Sequence, residues 1–577
     1  MKLLLSLSTL LFTFTIQAQT QLLYEKHNGK QTETYTEIIE FYTTLSKKYA
    51  AINSYEIGNT DSGFPLHLIV FDPQNKSKLT SNYPINTNDR NLLLINNGIH
   101  PGEPDGIDAT MLLFRDLAEN KIPIPQKTII ATIPVYNIGG ALNRNSTSRT
   151  NQNGPEAYGF RGNARNYDLN RDFIKADTKN AKAFTEVFHL LNPDLFIDNH
   201  VSNGADYQYI LTHLFTQHNK LGGDLGNYLH TSLMPQLEDS LRQKEWDITP
   251  YVNVFNQVPE AGFSQFMDSP RYSTGYTSLF NALGLMVETH MLKPYKQRVE
   301  GTYELMKTFI SIAEKDAEKI KLLRKNSFEK YKAGSYYPSS WQIDSTKPTT
   351  LHFKGFEGKM IPSSLTGASR LKYFRDKPFT KNITYFNNFK AIDSIKIPVA
   401  YIVPKGYWNI IELLKLNKIE FSEFKKDTII SAEVYRISNY ETVKTPFEGH
   451  YLHYKTEVTK NTEHVAVKKG DFLVKTKQKG VRYVLETLEP TATDSFFNWN
   501  FFDAILQQKE GFSPYVWEDM AEKFLNENPV IKNEFENKKR TEPAFERNWY
   551  IQLDWIHKKS PNYEKSHLRY PIVRVGG

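Results

Sequence analysis

The run LLLINNGIHPGEPDG, residues 92–106, decides how this chain is read. Four apolar residues, Leu92 to Ile95, read as a buried strand, and the polar, glycine-bearing NNG after them reads as its exit into a loop. In that loop His100 and Glu103 stand three apart, on a backbone stiffened by Pro101 and Pro104. Both side chains can ligate a metal ion. An isolated pair of this kind also occurs as plain surface or structural polarity, so its meaning depends on what other segments bring to it. The chain has no cysteine, which removes disulfides, thiolate metal sites and a cysteine nucleophile and leaves His, Asp and Glu as ligands. Zinc held without cysteine commonly takes two histidines and a carboxylate and keeps one position open.

Outward from this strand, residues 50–325 alternate short Ile, Leu and Val runs with amphipathic stretches. TIIATIPVY (128–136), DLFID (194–198) and LGLMVET (283–289) read as strands, and 107–120 and 179–191 as helices. The alternation predicts an α/β domain over residues 19–331, its mixed sheet covered by helices on both faces. Ligands of such sheets bind beyond the carboxyl ends of strands, where His100, His200 and Glu288 fall. A long charged helix is expected over 294–331 and a linker over 332–347. A separate mixed α+β domain with a β-rich middle is expected over 348–577, with strands at 431–437, 450–458 and 481–488 and a helix at 516–528.

Three further segments bear on the loop. His200 ends the apolar strand of NPDLFIDNHVSNG and is the best candidate for a third ligand, although a lone strand-end histidine is also ordinary structure. In RNYDLNRDF (165–173), Asn170 and Arg171 are adjacent donors, and arginine is the side chain best shaped to grip a carboxylate through two parallel hydrogen bonds. A surface ion pair is the plainer role for that arginine. Glu288 lies within the apolar strand of GLMVETH (284–290), where an unpaired carboxylate is costly.

Taken in order, HPGE (100–103), DLNRDF (168–173), IDNH (197–200) and VET (287–289) resemble the zinc carboxypeptidase family, the metallocarboxypeptidases, over about residues 50–325. The resemblance implies one zinc ion held by His100, Glu103 and His200. It implies a peptide substrate whose free C-terminal carboxylate is bound by Asn170 and Arg171, with Glu288 as general base. It further implies that Asp168 holds His100, against the plainer role of a turn cap, and that an oxyanion arginine lies upstream of the Asn-Arg pair. Arg149 is taken for that role from among Arg144, Arg149, Arg161 and Arg165.

The chain departs from the family's pattern in two places. Pro101 and Gly102 stand where pancreatic-type members carry an arginine, and Phe266 stands at the spacing of their mobile tyrosine. Tyr272 is taken as its replacement and Tyr276 is the other candidate, although either is also readable as a packed aromatic. Arg271 either meets an acidic substrate side chain or is solvated. Zinc deacylases of N-acyl amino acids, similar to succinylglutamate desuccinylase and aspartoacylase, share the HxxE loop, the DLNR segment and the later histidine, and supply the second reading. A peptidase of cell-wall stem peptides and a catalytically inert binding protein are further alternatives.

The first residues, MKLLLSLSTLLFTFTIQAQ, read as a signal peptide over 1–18, which predicts a secreted or periplasmic protein with no integral membrane segment in the mature chain. The net charge of +7, from 71 basic and 64 acidic residues, is spread along the chain and excludes a dense nucleic-acid-binding surface. In the second half, LEPTATDSFFNWNFFD (488–503) reads as domain core rather than a recognition surface. His450 and His453 lie in strand-like sequence without nearby acidic residues and read as core or edge positions.

Overall fold

The computed structural model describes residues 21–76, 78–79, 85–87 and 89–576; the expected signal peptide lies outside them. Among the described residues, nine strands belong to the first half: β1 (Ile52–Ile57), β2 (Leu66–Phe71), β3 (Asn91–Asn96), β4 (Thr128–Ile133), β5 (Leu195–Ser202), β6 (Leu211–Phe215), β7 (Ile248–Pro250), β8 (Phe263–Ser264) and β9 (Leu283–His290). All but β8 form one sheet in the order β1-β2-β4-β3-β5-β9-β6-β7. Its centre, β4-β3-β5-β9, is parallel, while β2 and β6 join it antiparallel, so the sheet is mixed as expected. The central strands are buried on both faces, which is why LLLI and TIIATI read as continuous apolar runs instead of alternating.

One face is covered by the helices Tyr35–Lys48, Asp105–Ala118, Met234–Arg242 and Tyr295–Lys315, which pack on Leu93, Ile95, Ile197, Leu285 and Val287. The other face, with Leu92, Leu94 and Phe196, meets the helix Lys179–Leu191 and then the second half of the chain. Phe280 stacks on Tyr483 at 5.9 Å, and Tyr276 donates to Asn417 Oδ1 at 2.6 Å, so the core under the sheet runs on into the C-terminal half. Phe496, Phe497, Trp499 and Phe502 belong to that same core, in line with the reading of 488–503.

The second half contains β10 (Tyr336–Ile343), β11 (Thr349–Pro362), β12 (Ser369–Phe386), β13 (Phe389–Lys396), β14 (Ala400–Val403), β15 (Ser422–Glu423), β16 (Thr428–Thr442), β17 (His453–Val467), β18 (Phe472–Lys475) and β19 (Val573–Val575). A six-stranded sheet, β15-β18-β14-β19-β16-β17, is its centre, and four helices between Pro514 and Lys559 pack around Trp517 and Phe535. Three expectations change. The stretch 332–347 carries β10, paired with β13, and is not a bare linker. Residues 481–488 form a helix, Val481–Leu488, buried along its whole length. The helix expected over 294–331 breaks at Asp316 into Tyr295–Lys315 and Ala317–Ser327. Among the described residues no helix is long and apolar enough to cross a membrane.

Candidate metal centre

The loop after β3 brings His100 and Glu103 to the carboxyl end of the sheet, and β5 brings His200 beside them. All three are at least nine-tenths buried, and one ligand atom from each lies within 4.8 Å of the others. His100 Nε2 donates to Asp168 Oδ1 at 2.9 Å, and His200 Nε2 donates to Asp198 Oδ2 at 2.9 Å. Those carboxylates fix the protons on the Nε2 atoms and leave Nδ1 of each ring as a lone pair facing inward. His100 Nδ1 sits 3.3 Å from Glu103 Oε1 with no hydrogen-bond partner, and His200 Nδ1 sits 3.2 Å from Glu103 Oε2. Two imidazole lone pairs and a carboxylate converging in a buried space repel one another unless a cation lies between them. This donor set fits a zinc ion with one position left open.

Local packing holds the loop in this form. Glu103 Oε1 accepts from Arg149 at 2.8 Å and Glu103 Oε2 from the Val201 amide at 3.0 Å. Burial raises the Glu103 carboxyl, but Arg149 and His100 outweigh it and keep the group ionised, as a ligand must be. Gly102 is required for close approach, since a Cβ there would come within 2.7 Å of the Arg149 side chain. Asp198 was not singled out in the sequence. It lies two residues before His200 on the same strand face, and it also accepts from Asn96 at 3.2 Å and from the Ser273 hydroxyl.

Glu288 is registered opposite His200 on the neighbouring parallel strand, so the two side chains share a sheet face. It opens onto a cavity of about 820 Å³ that His100, Glu103 and His200 also line. Its carboxyl is pushed up to about 7, chiefly by burial and with the Glu103 and Asp198 charges adding to it, against the His200 and Arg161 charges that pull it down. Met286, two residues earlier on the same face, and Leu214, its cross-strand partner on β6, form an apolar floor with Phe266.

Asn170 and Arg171 lie on a single 3-10 turn capped by Asp168, whose Oδ1 accepts from the Asn170 amide at 2.9 Å. Asp168 thus caps the turn and holds His100, so the two roles open in the sequence are both occupied. Asn170 Oδ1 accepts from the Ser273 amide at 3.3 Å. Arg171 lies 4.6 Å over the ring of Tyr272, and both line the cavity. Tyr276, the other candidate, is fully buried core. Arg271 is neither solvated nor turned to the cavity: it is bound to Asp494 at 2.6 Å and stacked on Trp499.

The arginines upstream divide into two kinds. Arg149 lines the cavity with NH1 given to Glu103 and Nε to Gln152 Oε1 at 2.8 Å. Arg161 lines the same cavity, bonded to Asp168 Oδ2 at 2.8 Å, with 44% of its side chain exposed and its charge acting on Glu288. Arg144 binds the backbone carbonyls of Thr32 and Glu33 and takes no part. His450 and His453 do have acidic partners, Asp177 at 2.7 Å and Asp503 at 3.1 Å, supplied by residues distant in sequence.

No family model matches the chain, and no curated protein does. Solved structures similar to it include the metallo-carboxypeptidase of Burkholderia cenocepacia, at 15% identity and TM-score 0.36 over 48% of this chain and 69% of that one. The carboxypeptidase A of Helicoverpa armigera is 14% identical, TM-score 0.38, over 53% of this chain and 82% of that one. Bovine thrombin-activatable fibrinolysis inhibitor, in complex with a tick carboxypeptidase inhibitor, is 12% identical, TM-score 0.35, over 52% and 99%. At TM-scores this low, the functional reading rests on the geometry of the site itself.

Proposed function

We propose that the protein is an exported, zinc-dependent metallocarboxypeptidase that removes residues from the free C-terminus of peptides. The observation that carries this reading is the convergence, in one cavity, of the His100, Glu103 and His200 donor set, Glu288, and the Asn170-Arg171 pair. Zinc, when bound, supplies Lewis acidity for the scissile carbonyl and lowers the pKa of the attacking water.

The remaining chemistry falls to the chain. Arg171, stacked on Tyr272 and therefore already oriented, binds the terminal carboxylate through its guanidinium fork, with Asn170 beside it. Its one hydrogen bond among the described residues, NH1 to Asn170 O at 2.8 Å, leaves the rest of the fork free for substrate. Glu288 takes a proton from the attacking water and delivers it to the leaving amine; a carboxyl pushed up to about 7 is matched to both tasks near neutral pH. Arg161, bonded to Asp168 through Nε and NH2 but 44% exposed against 17% for Arg149, stabilises the oxyanion in this scheme in place of Arg149, which is bonded to the proposed ligand Glu103 itself. Leu214, Met286 and Phe266 offer the terminal side chain an apolar seat.

The test is mass spectrometry of three substrate sets incubated with the zinc-loaded protein: free-ended peptides, the same peptides amidated, and N-acyl amino acids. Stepwise loss from free ends alone is expected. Cleavage confined to the acyl amino acids would replace this reading with the deacylase one.

A further inference from the structure

The tip of the hairpin that joins β16 to β17 lies far along the chain, yet it bonds the segment 167–171, whose Asn170 and Arg171 line the cavity. We propose that this tip is a positioning element of the site, and that Glu448 holds Asp168, and through it His100, in the orientation that readies the ligand set. The inference rests on the metal-centre reading above.

Phe447 and His450 exchange both backbone hydrogen bonds, N to O at 2.7 Å and 3.1 Å, so Glu448 and Gly449 are the central residues of a two-residue turn. Their φ angles are 49° and 80°. Turns with both central residues at positive φ favour Asn, Asp or Gly in the first position, not Glu. A glutamate kept where its backbone is disfavoured points to a use for its side chain. That use is visible: Glu448 Oε2 accepts from the Asp168 amide at 2.8 Å.

Asp168 is therefore fixed at both ends. Glu448 holds its N–H, while its carboxylate serves His100 Nε2, the Asn170 amide and Arg161. Rotation of this residue would move a metal ligand's partner and the substrate-binding turn together. The surrounding contacts press the tip into place. A Cβ on Gly449 would come within 2.7 Å of the Tyr167 hydroxyl, and His450 Nε2 bonds Asp177 at 2.7 Å. The same half of the chain grips the other side of the substrate-binding pair. Asp494 accepts from the Arg271 amide at 3.0 Å and from its Nε at 2.8 Å, immediately before Tyr272. The C-terminal half thus acts on the site through two segments, 167–171 and 271–273, instead of standing apart as an appendage.

The experiment uses the full chain with Glu448→Asn and Glu448→Gln. Asn suits the turn better than Glu but is too short to reach the Asp168 amide; Gln restores an acceptor at the same reach. The readouts are thermal stability, the rate of zinc release into excess chelator, and kcat and KM on a free-ended peptide. The expected result for Glu448→Asn is an unchanged or higher Tm, zinc release faster by roughly tenfold, and a fall in kcat together with a rise in KM, with Glu448→Gln rescuing most of the loss. Wild-type zinc release in the Asn variant overturns the proposal, as does a Gln variant that loses as much as Asn. Should Glu448→Asn fail to fold, Glu448→Gly carries the same comparison. Zinc release is read without substrate, so faster release in a protein that cleaves no peptide upholds the positioning role and overturns the peptidase reading alone.

Discussion

Replacement of Arg171 by alanine separates recognition of a terminal carboxylate from every other contribution to the site. The Arg171 side chain is 22% exposed and lies over Tyr272 at 4.6 Å, so it is ordered before substrate arrives and loses little freedom on binding. A hydrogen bond to a charged partner is worth about 1.5–3 kcal/mol, and partial exposure keeps a forked pair below the sum of two. A loss of about 3 kcal/mol corresponds to a fall of about 150-fold in kcat/KM for free-ended peptides. Amidated peptides, which give the guanidinium no anion to bind, are poor substrates of the wild type and are expected to change by less than about threefold. Arg171→Lys should fall between, because it keeps the charge and loses the fork. The assay is initial-rate kinetics on paired peptides that differ only in the terminal amide. Equal losses on both members of the pair would refute the assignment of Arg171 to the carboxylate.

Glu288→Gln should keep zinc and thermal stability while lowering kcat by about 100- to 10,000-fold; a variant that turns over within tenfold of wild type removes Glu288 from the proton transfers. Peptides ending in Phe or Leu should be cleaved at least about tenfold faster than those ending in Lys or Asp, since Leu214, Met286 and Phe266 leave a charge unpaired; the reverse order in competition assays would refute the apolar seat. Glu486, buried with the Tyr337 hydroxyl at 2.6 Å, has its carboxyl pushed from 4.5 up to about 7, chiefly by burial. The folded state therefore holds that proton between the two values, and stability falls as pH rises through this window, by about 3 kcal/mol at full effect. Glu486→Gln should flatten that slope in denaturant titrations at pH 5 and 7, and parallel wild-type and variant slopes would count against it.

The segments that bring His100, Glu103, His200, Glu288 and the Asn170-Arg171 pair to one cavity were legible because each is short and local, at a strand end or, for the pair, on a single turn. The roles of particular arginines were not, because Arg144, Arg149 and Arg161 differ only in what they meet after folding: two carbonyls, the Glu103 carboxylate and Asp168. Residues 481–488 were misread for a physical reason. Arg482 and Glu486, four apart on this helix, are buried and bonded to Ser278 and Tyr337 from distant segments, and its Val, Tyr and Leu content resembles a strand. The stretch 332–347 lacks apolar alternation because β10 is half exposed, yet it is held by its pairing with β13. The bonds of His450 to Asp177, of His453 to Asp503 and of the Asp168 amide to Glu448 span 50 residues or more, beyond the reach of any spacing rule.

The most direct test of the account is a zinc titration of chelator-stripped protein, followed by release of the terminal amino acid from one free-ended peptide. The account predicts no release before zinc is added, recovery in proportion to zinc, and saturation at one equivalent. Release that persists without metal, or that never appears at any zinc concentration, would contradict it.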